Sequence, residues 1–272
     1  MVGMSIRTAR WPAGTPCWVD LAVPDMEAAT GFYEAVLGWA FDPATDDTRG
    51  YRIARRRGAA AAAVGPRRSR GTDQWSPKAG AWTLYFASDD VEYSAFAITA
   101  AGGELLLPPG QVGREGRLLV ASDPAGAAFG VWQAGEHIGA ELVNEPGGLT
   151  WEDLRSTDPD PARDFYKAVF GFQNAALEMA GPDYCVFSLP GEDFPLGGMG
   201  ATMGEPGGSH WLVYFGVDDA DAAAERALDS GGAVHRAPFE TPFGRMAGLA
   251  DPAGAGFMAV QNTGQPQPDR SI

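Results

Sequence analysis

The chain contains one pattern of residues twice, and this duplication constrains the fold more than any other feature. The segment at 17–21, CWVDL, is matched 133 positions later by TWEDL at 150–154. A second segment at 123–129, DPAGAAF, returns as DPAGAGF at 251–257, an offset of 128 positions. Because the matches occur in the same order and at nearly the same spacing, they indicate that a unit of about 130 residues was duplicated.

The duplication predicts two domains with connecting segments. A chain of 272 residues is long enough for two domains that each bury a core. We predict an N-terminal leader at 1–14, a first domain at 15–133, a linker at 134–149, a second domain at 150–262 and a flexible tail at 263–272.

Charge and composition exclude several classes of partner. The formal net charge is −15, and such a field repels phosphate groups, so neither nucleic acid nor an anionic membrane is an expected partner. Two cysteines far apart in the chain do not indicate a disulfide framework. The sequence has neither an apolar run of membrane-spanning length nor the pattern of a secretion signal, so we expect a cytoplasmic protein.

Each domain shows the same order of predicted elements twice, namely a strand, a helix and further strands. The first strand is predicted at 16–23, and the helix at 26–37 begins after the capping residue Asp25 and ends at Gly38. The other three helices are predicted at 91–101, 161–169 and 220–230. The pattern therefore predicts an α+β protein built from four βαβββ modules.

These motifs resemble those of the glyoxalase/bleomycin-resistance/extradiol-dioxygenase superfamily, also called the vicinal oxygen chelate fold. The resemblance covers nearly all of the chain and rests on Pro24-Asp25, Phe32-Tyr33, Leu37-Gly38, Asp89-Asp90 and Asp123-Pro124-Ala125-Gly126, most of them present twice. The order of the motifs is most similar to that of two-domain glyoxalase-like proteins of actinobacteria. The resemblance implies tandem vicinal oxygen chelate domains whose modules form two cup-shaped mixed sheets, and it implies an internal pseudo-dimer, as a monomer or a homodimer.

The resemblance also implies where a metal would bind. Enzymes of the superfamily hold a divalent cation with histidine and glutamate side chains at fixed strand positions. Those positions are occupied here by Trp18, Thr83 and Gly130 in the first domain and by Trp151, Leu212 and Met258 in the second. None of these side chains supplies an imidazole or a carboxylate, so we predict no metal and no other cofactor.

Strand alternation predicts which side chains share the concave face with these positions. The first cup would contain Trp18, Asp20, Thr83, Tyr85 and Trp132, and the second would contain Trp151, Asp153, Arg155, Leu212, Tyr214, Met258 and Val260. Aromatic walls with a few polar groups suit a planar, partly polar ligand, and Gly130 would leave room on the floor of the first cup. The alternative is that these aromatic side chains fill the cups or pack one domain against the other.

A carboxylate among tryptophans must be paired or hydrogen-bonded, which applies to Asp20 and Asp153. We expect each to contact an arginine, a tyrosine hydroxyl or a polar group of a ligand. Arg117 and Arg245, which occupy matched positions of the repeat, are the candidate arginine partners and are included in the predicted ligand-binding set.

Three functions remain open from the sequence. The first is a metal-free protein that binds a planar aromatic or polycyclic molecule, for drug sequestration and self-resistance or as an accessory to a biosynthetic enzyme. The second is a metal-independent lyase, isomerase or hydroxylase-associated enzyme acting on an aromatic or carbonyl substrate. Its candidate acid and base residues are Asp20 with Tyr85, Asp153 with Tyr214, and His235. The third is a structural protein whose cups have lost their ligands.

Overall fold

A computed structural model describes residues 6–45, 49–67, 81–181, 183–192, 194–202 and 207–261. Within these ranges the chain forms two eight-stranded mixed sheets and four α-helices. No helix in these ranges is long and apolar enough to cross a membrane. The predicted tail at 263–272 and the last residue of the predicted second domain lie outside the described residues.

The first sheet contains two modules of the repeat. Its elements are β1 (Pro16–Val23), α1 (Met26–Leu37), β2 (Ala40–Phe41), β3 (Arg52–Arg56), β4 (Ala59–Pro66), β5 (Trp82–Ala87), α2 (Val91–Ala100), β6 (Glu104–Val112), β7 (Gly116–Ser122) and β8 (Ala128–Ala134). The strand order is β2-β3-β4-β1-β5-β8-β7-β6. β1 pairs with β4 in parallel and with β5 antiparallel, so β1 and β5 form the centre of the sheet.

The second sheet repeats this arrangement strand for strand, in the order β10-β11-β12-β9-β13-β16-β15-β14. Its elements are β9 (Leu149–Ser156), α3 (Pro159–Phe170), β10 (Gln173–Ala176), β11 (Cys185–Ser188), β12 (Gly197–Ala201), β13 (His210–Gly216), α4 (Ala220–Asp229), β14 (Ala233–Thr241), β15 (Gly244–Ala250) and β16 (Gly256–Gln261), with a 3₁₀ turn at Glu178–Ala180.

The predicted α+β class and the four βαβββ modules are confirmed. Asp25 caps α1 as expected, because its Oδ1 accepts the backbone N–H groups of Glu27 and Ala28 at 3.0 and 3.1 Å. Sequence reasoning missed β2 and β10, the first strands after α1 and α3. With two and four residues, they are too short to show a readable alternation.

The strands place alternate residues on opposite sides of each sheet. In β1, Val19, Leu21 and Val23 pack against the helices in the main hydrophobic core, whereas Trp18 belongs to a separate cluster on the concave side. The main core is continuous through both domains. Each sheet therefore buries its convex, helix-covered side and leaves its concave side for the cup.

Aromatic side chains from both domains interlock where the two convex sides meet. The ring of Trp39 packs edge-on against Phe215 with centroids 5.3 Å apart, and Phe86 meets Trp211 at the same distance. The ring of Phe32 contacts Phe257 across this seam at 6.3 Å. The domains thus share one core.

Two motifs of the repeat, the Phe-Tyr pair on the first helix of each domain and the Asp-Pro-Ala-Gly turn, contact each other at this seam. The hydroxyl of Tyr33 on α1 donates to Asp251 Oδ2 of the second domain at 3.3 Å. By the same pseudo-two-fold relation, Tyr166 on α3 lies beside Asp123 of the first domain. Burial raises the pKa of both aspartates, although backbone N–H groups donating to each carboxylate oppose that shift.

Replacing Tyr33 by phenylalanine tests the contribution of this contact. The Tyr33→Phe variant should lose about 1 kcal/mol of unfolding free energy, because a buried carboxylate loses one of its donors. Tyr93→Phe is the matched control, since Tyr93 lies on α2 with 68% of its surface exposed. Urea unfolding measures both variants, and equal midpoints for the two would show that the hydroxyl at the seam contributes nothing.

Candidate functional site

The concave faces carry the side chains that the alternation predicted. Directly paired residues point to the same side of a sheet, and Trp18 pairs with Tyr85, which in turn pairs with Gly130. In the second domain Tyr214 pairs with both Trp151 and Met258. The strand register therefore brings each predicted set together on one face.

The first cup is largely filled by its own side chains. Trp18, Tyr85 and Trp132 are only 3%, 5% and 6% exposed. The predicted linker closes this end of the cup, because His137 lies edge-on to Trp18 at 4.5 Å and its carbonyl accepts the Nε1–H of Trp132 at 2.9 Å. Trp11 from the leader joins the same cluster.

Gly130 does not leave room for a ligand, so the prediction of open space on the floor of the first cup is wrong. A Cβ atom at this position would lie 2.1 Å from Cδ1 of Tyr85. The ring of Tyr85 therefore occupies the space that the missing side chain leaves. The glycine serves the packing of that tyrosine.

Asp20 is held by tyrosine hydroxyls, as expected for a carboxylate on this face. Tyr51 and Tyr85 donate to its Oδ2 at 3.2 and 3.1 Å, and the Nε1–H of Trp18 donates to the hydroxyl of Tyr51 at 3.1 Å. Burial raises the pKa of Asp20 to about 6, against the effect of these hydrogen bonds, which favour the ionised form.

Asp153 in the second cup has a fuller set of partners. Its Oδ1 accepts the hydroxyl of Tyr184 at 2.6 Å and the Nε1–H of Trp151 at 2.9 Å. Its Oδ2 accepts the hydroxyl of Tyr214 at 2.6 Å and Nη2 of Arg155 at 2.8 Å. Four donors therefore surround this buried carboxylate, and one of them is a cation.

Arg155 is the member of this group that retains unused donors. Burial disfavours its charge, but the neighbouring Asp153 raises the pKa of the guanidinium above its ordinary value. Its side chain is 16% exposed, and its Nε–H is buried without an acceptor among the described residues.

Tyr51 and Tyr184 were absent from the predicted site, although they are central to both networks. They stand 133 positions apart, which is the offset of the repeat, and that spacing was the available signal. Their rings require glycine below them, since a Cβ on Gly198 would lie 1.8 Å from the hydroxyl oxygen of Tyr184. Likewise, a Cβ on Gly65 would lie 2.9 Å from Cδ2 of Tyr51.

The second cup is more open than the first. Trp151, Leu212 and Met258 are half-buried, whereas Trp18 and Thr83 at equivalent positions of the first cup are buried. Among the described residues, no counterpart of His137 covers Trp151. The second cup therefore presents an accessible apolar surface around the Asp153 network.

Arg117 and Arg245 are not partners of the cup carboxylates, so that prediction is wrong. Arg117 pairs with Glu92 on α2 at 2.5 Å, and Arg245 pairs with Asp221 on α4 at the same distance. Each precedes a residue of the concave face by one position, which directs its own side chain towards the helices.

His235 has no visible role in either network. It is exposed on β14, where the pairing with β15 shifts register. No contact joins it to the Asp153 network within the described residues. A surface groove of about 660 Å³ along α3 and β10, lined by residues such as Asp160 and Lys167, also contains none of the cup side chains.

Comparison with known proteins identifies the family. The model of the Glyoxalase/Bleomycin resistance protein/Dioxygenase superfamily matches residues 16–131 and again residues 148–258. The chain belongs to this superfamily. Each match covers one of the two sheets described above.

Two relatives resemble this superfamily member over almost their whole length. CFP32 of Mycobacterium tuberculosis, named provisionally as a glyoxylase, is 40% identical over 261 residues, covering 94% of this chain and 97% of CFP32. The anthracycline biosynthesis protein DnrV of Streptomyces peucetius is 38% identical over 268 residues, covering 93% of this chain and 94% of DnrV.

Solved structures of proteins with low sequence identity share the fold. The Mn(II)-bound glyoxalase of Novosphingobium aromaticivorans superposes with a TM-score of 0.65 at 16% identity, covering 92% of this chain and 82% of that one. The 2,3-dioxygenase LapB of Pseudomonas sp. KL28 superposes with a TM-score of 0.60 at 17% identity, covering 96% of each chain. At such low identity the likeness concerns the fold alone.

The concave faces of this superfamily member do not fit the divalent cation that the family implies. Asp20 and Asp153 already accept hydrogen bonds from tyrosines, and the strand positions implied for ligands hold tryptophan, threonine, glycine, leucine or methionine. The described residues contain no group of three or more histidine, cysteine, aspartate or glutamate side chains that could hold a metal ion. The implied ligand positions thus lack the imidazole and carboxylate groups that transition metals require, and the two cup carboxylates are held by tyrosines instead.

Asp20 and His137 should give opposite pH dependences of stability. Because the folded-state pKa of Asp20 is raised to about 6, its contribution is full below its unfolded pKa and is lost as the pH rises through 6. Burial lowers the pKa of His137 to about 4, so its contribution is full above its unfolded pKa and is lost as the pH falls towards 4. Between pH 4 and 6 the two slopes therefore oppose each other.

The Asp20→Asn variant should consequently show a more positive slope of stability with pH than the wild type from pH 4 to 6, because the opposing contribution of Asp20 is removed. His137→Gln should change the slope in the opposite sense. Urea unfolding at a series of pH values measures both slopes, and the buried aspartates at the seam are common to all three proteins. Parallel curves would show that neither group is perturbed in the folded state.

Proposed function

We propose that this protein is a metal-free member of the superfamily that binds a planar aromatic or polycyclic small molecule in its second cup. The accessible apolar surface formed by Trp151, Leu212 and Met258 around a fixed polar group supports this proposal. Ligand sites commonly combine apolar walls with a few placed polar groups. Stacking on the indole of Trp151 would contribute the binding free energy that coordination to a metal contributes elsewhere in the family.

The observation that carries the proposal is the contrast between the two cups. In the first cup, Trp18, Tyr85 and Trp132 pack on one another beneath His137, which supports a structural role for that end. In the second cup, Val260 takes the place of Trp132 in the repeat, so the equivalent volume is not filled by an indole. Both cups therefore contain a carboxylate held by tyrosine hydroxyls, but the second cup lacks an indole at the position of Trp132.

The relatives support an accessory or protective role without fixing one. DnrV is named as an anthracycline biosynthesis protein, and its resemblance extends over both domains. For the present chain we propose sequestration of an aromatic product, for self-resistance, or delivery of such a molecule to a biosynthetic enzyme. In both cases the ligand leaves chemically unchanged.

Filling the second cup should abolish binding. Met258→Trp places an indole on the open concave face, and overpacking of this kind costs about 1–3 kcal/mol. Affinity for an uncharged probe, 9-anthracenemethanol, should fall by about tenfold or more. Equilibrium dialysis and quenching of tryptophan fluorescence measure the affinity of the wild type and the variant.

Leu118→Trp is the matched control, because Leu118 is a half-buried residue on the concave face of the first cup. Its affinity for the probe should equal that of the wild type. If Leu118→Trp abolished binding and Met258→Trp did not, the site would be the first cup. Failure of the wild type to bind any polycyclic aromatic compound would refute the proposal.

A metal-independent enzyme is the second candidate, and the observation that favours it is that Asp20 is half-buried beside the aromatic cluster and held by two neutral tyrosine hydroxyls, while burial raises its pKa to about 6. A carboxylate with such a pKa can serve as a general base near neutral pH. Asp153 is less suited to that task, because a cation and three other donors already occupy it. Tyr85 would act with Asp20 by holding the carboxylate in place.

This second function predicts turnover that rises with pH through about 6, as Asp20 ionises. Asp20→Asn should abolish it, whereas Asp153→Asn should not. Chromatographic analysis of polycyclic aromatic and carbonyl compounds after incubation with each protein detects turnover. Recovery of every compound unchanged from the wild type would refute the enzymatic function while leaving sequestration intact.

A further inference from the structure

Arg155 is a half-buried cation of the second cup and has a guanidinium donor that no described residue accepts. Arg155 uses Nη2 for the carboxylate of Asp153 and, more weakly at 3.4 Å, for the hydroxyl of Tyr214. Its Nε–H has no acceptor among the described residues, and 16% of the side chain is exposed. A buried donor without a partner costs about 1–3 kcal/mol, so an acceptor at this point would be strongly favoured.

Asp153 cannot receive a ligand in the same way. An ionised carboxylate offers about four acceptor positions, and Trp151, Tyr184, Tyr214 and Arg155 supply four donors. Three of these donors are neutral and already stabilise the negative charge. Arg155 meets Asp153 and Tyr214 through Nη2 alone among the described residues, so its other guanidinium N–H groups are available to a second acceptor.

The positive side chain distinguishes this cup from its duplicate. The position of Arg155 corresponds to Ala22 in the first cup, since both lie two residues after the carboxylate on the central strand. A second cation, Arg236, lies on β14 directly opposite Gly248 of the same face and stacks on the ring of Phe239 at 3.5 Å. The chain has a net charge of −15, so two arginines on one concave face form a region whose charge is opposite in sign to that of the whole protein.

We propose that the ligand of the second cup carries an anionic oxygen on its aromatic ring system, a carboxylate or a phenolate, and that Arg155 binds this oxygen through its free guanidinium donors. The inference rests on the proposed function, because it names the chemical class of ligand for the same cup. Asp153 then acts as a positioning residue that orients the guanidinium. Trp151 and Leu212 contact the aromatic rings of the ligand, and Arg155 distinguishes a ligand with an ionised oxygen from a neutral one.

Paired probes with the same rings test this inference. The carboxylate arm compares 9-anthracenecarboxylate with 9-anthracenemethanol, and the phenolate arm compares 2-hydroxyanthraquinone with 2-methoxyanthraquinone. The wild type should prefer the ionised member of at least one pair by about tenfold or more, since a hydrogen bond to a charged group contributes about 1.5–3 kcal/mol. Bound 2-hydroxyanthraquinone should also ionise at a lower pH than the free compound, which its absorbance spectrum reports.

Three variants separate recognition from support of the fold. Arg155→Gln should remove the preference, so that the two members of each pair bind with about equal affinity. Arg155→Lys keeps a cation beside Asp153 but lacks the Nε–H, so its preference should fall between those of Arg155→Gln and the wild type. Arg245→Gln is the matched control, because Arg245 pairs with Asp221 on the helix side of the same sheet, and its preference should be unchanged.

The outcomes distinguish the inference from the function on which it rests. Equal affinities of the wild type for both members of both pairs, or a preference that survives in Arg155→Gln, would overturn the inference alone. Binding of neither member of any pair would instead remove the proposed function. If Arg155→Gln fails to fold by circular dichroism, Arg155→Lys and the shifted absorbance of the bound phenol decide the question.

Discussion

The structure of both cups depends on one constraint, namely that a carboxylate on a tryptophan-lined face must be surrounded by donors. Asp20 and Asp153 each accept hydrogen bonds from two tyrosine hydroxyls. One tyrosine lies on the neighbouring central strand, and the other immediately precedes β3 or β11. The rings of Tyr51 and Tyr184 in turn require neighbouring backbone without a Cβ atom, which Gly65 and Gly198 supply. Each carboxylate thus dictates residue choice on three strands of its sheet and at the residue before a fourth.

The same constraint has two solutions in one chain. In the first cup, neutral donors alone surround the carboxylate, and burial raises the pKa of Asp20 to about 6. In the second cup, Arg155 adds a countercharge, Val260 replaces the indole of Trp132, and Met258 stands in the place of Gly130. The cups therefore differ in charge and in accessible surface, although their strands follow the same order.

The fold was predictable from the sequence because its signals are local and repeated. Caps such as Asp25, alternation in β1 and the 133-residue offset each act within a short window or a fixed spacing. The site was predictable only in part. Alternation placed Asp153 and Tyr214 on one face, but it gave no means of finding Tyr184, which follows an irregular segment, or of seeing that Tyr85 fills the space above Gly130. Likewise, Arg117 and Arg245 were matched by position in the repeat, and their strand parity directs them to helices instead.

The continuous core between the domains has an evolutionary consequence. In a symmetric homodimer every substitution is made twice, so a change that opens one ligand site also opens its mate and doubles the loss of packing. Fusion of the two halves through a shared aromatic seam, with Tyr33 and Trp39 reaching into the second domain, removes that coupling. One half can then keep its filled interior while substitutions change the specificity of the other half. The accompanying loss of packing occurs in one domain only.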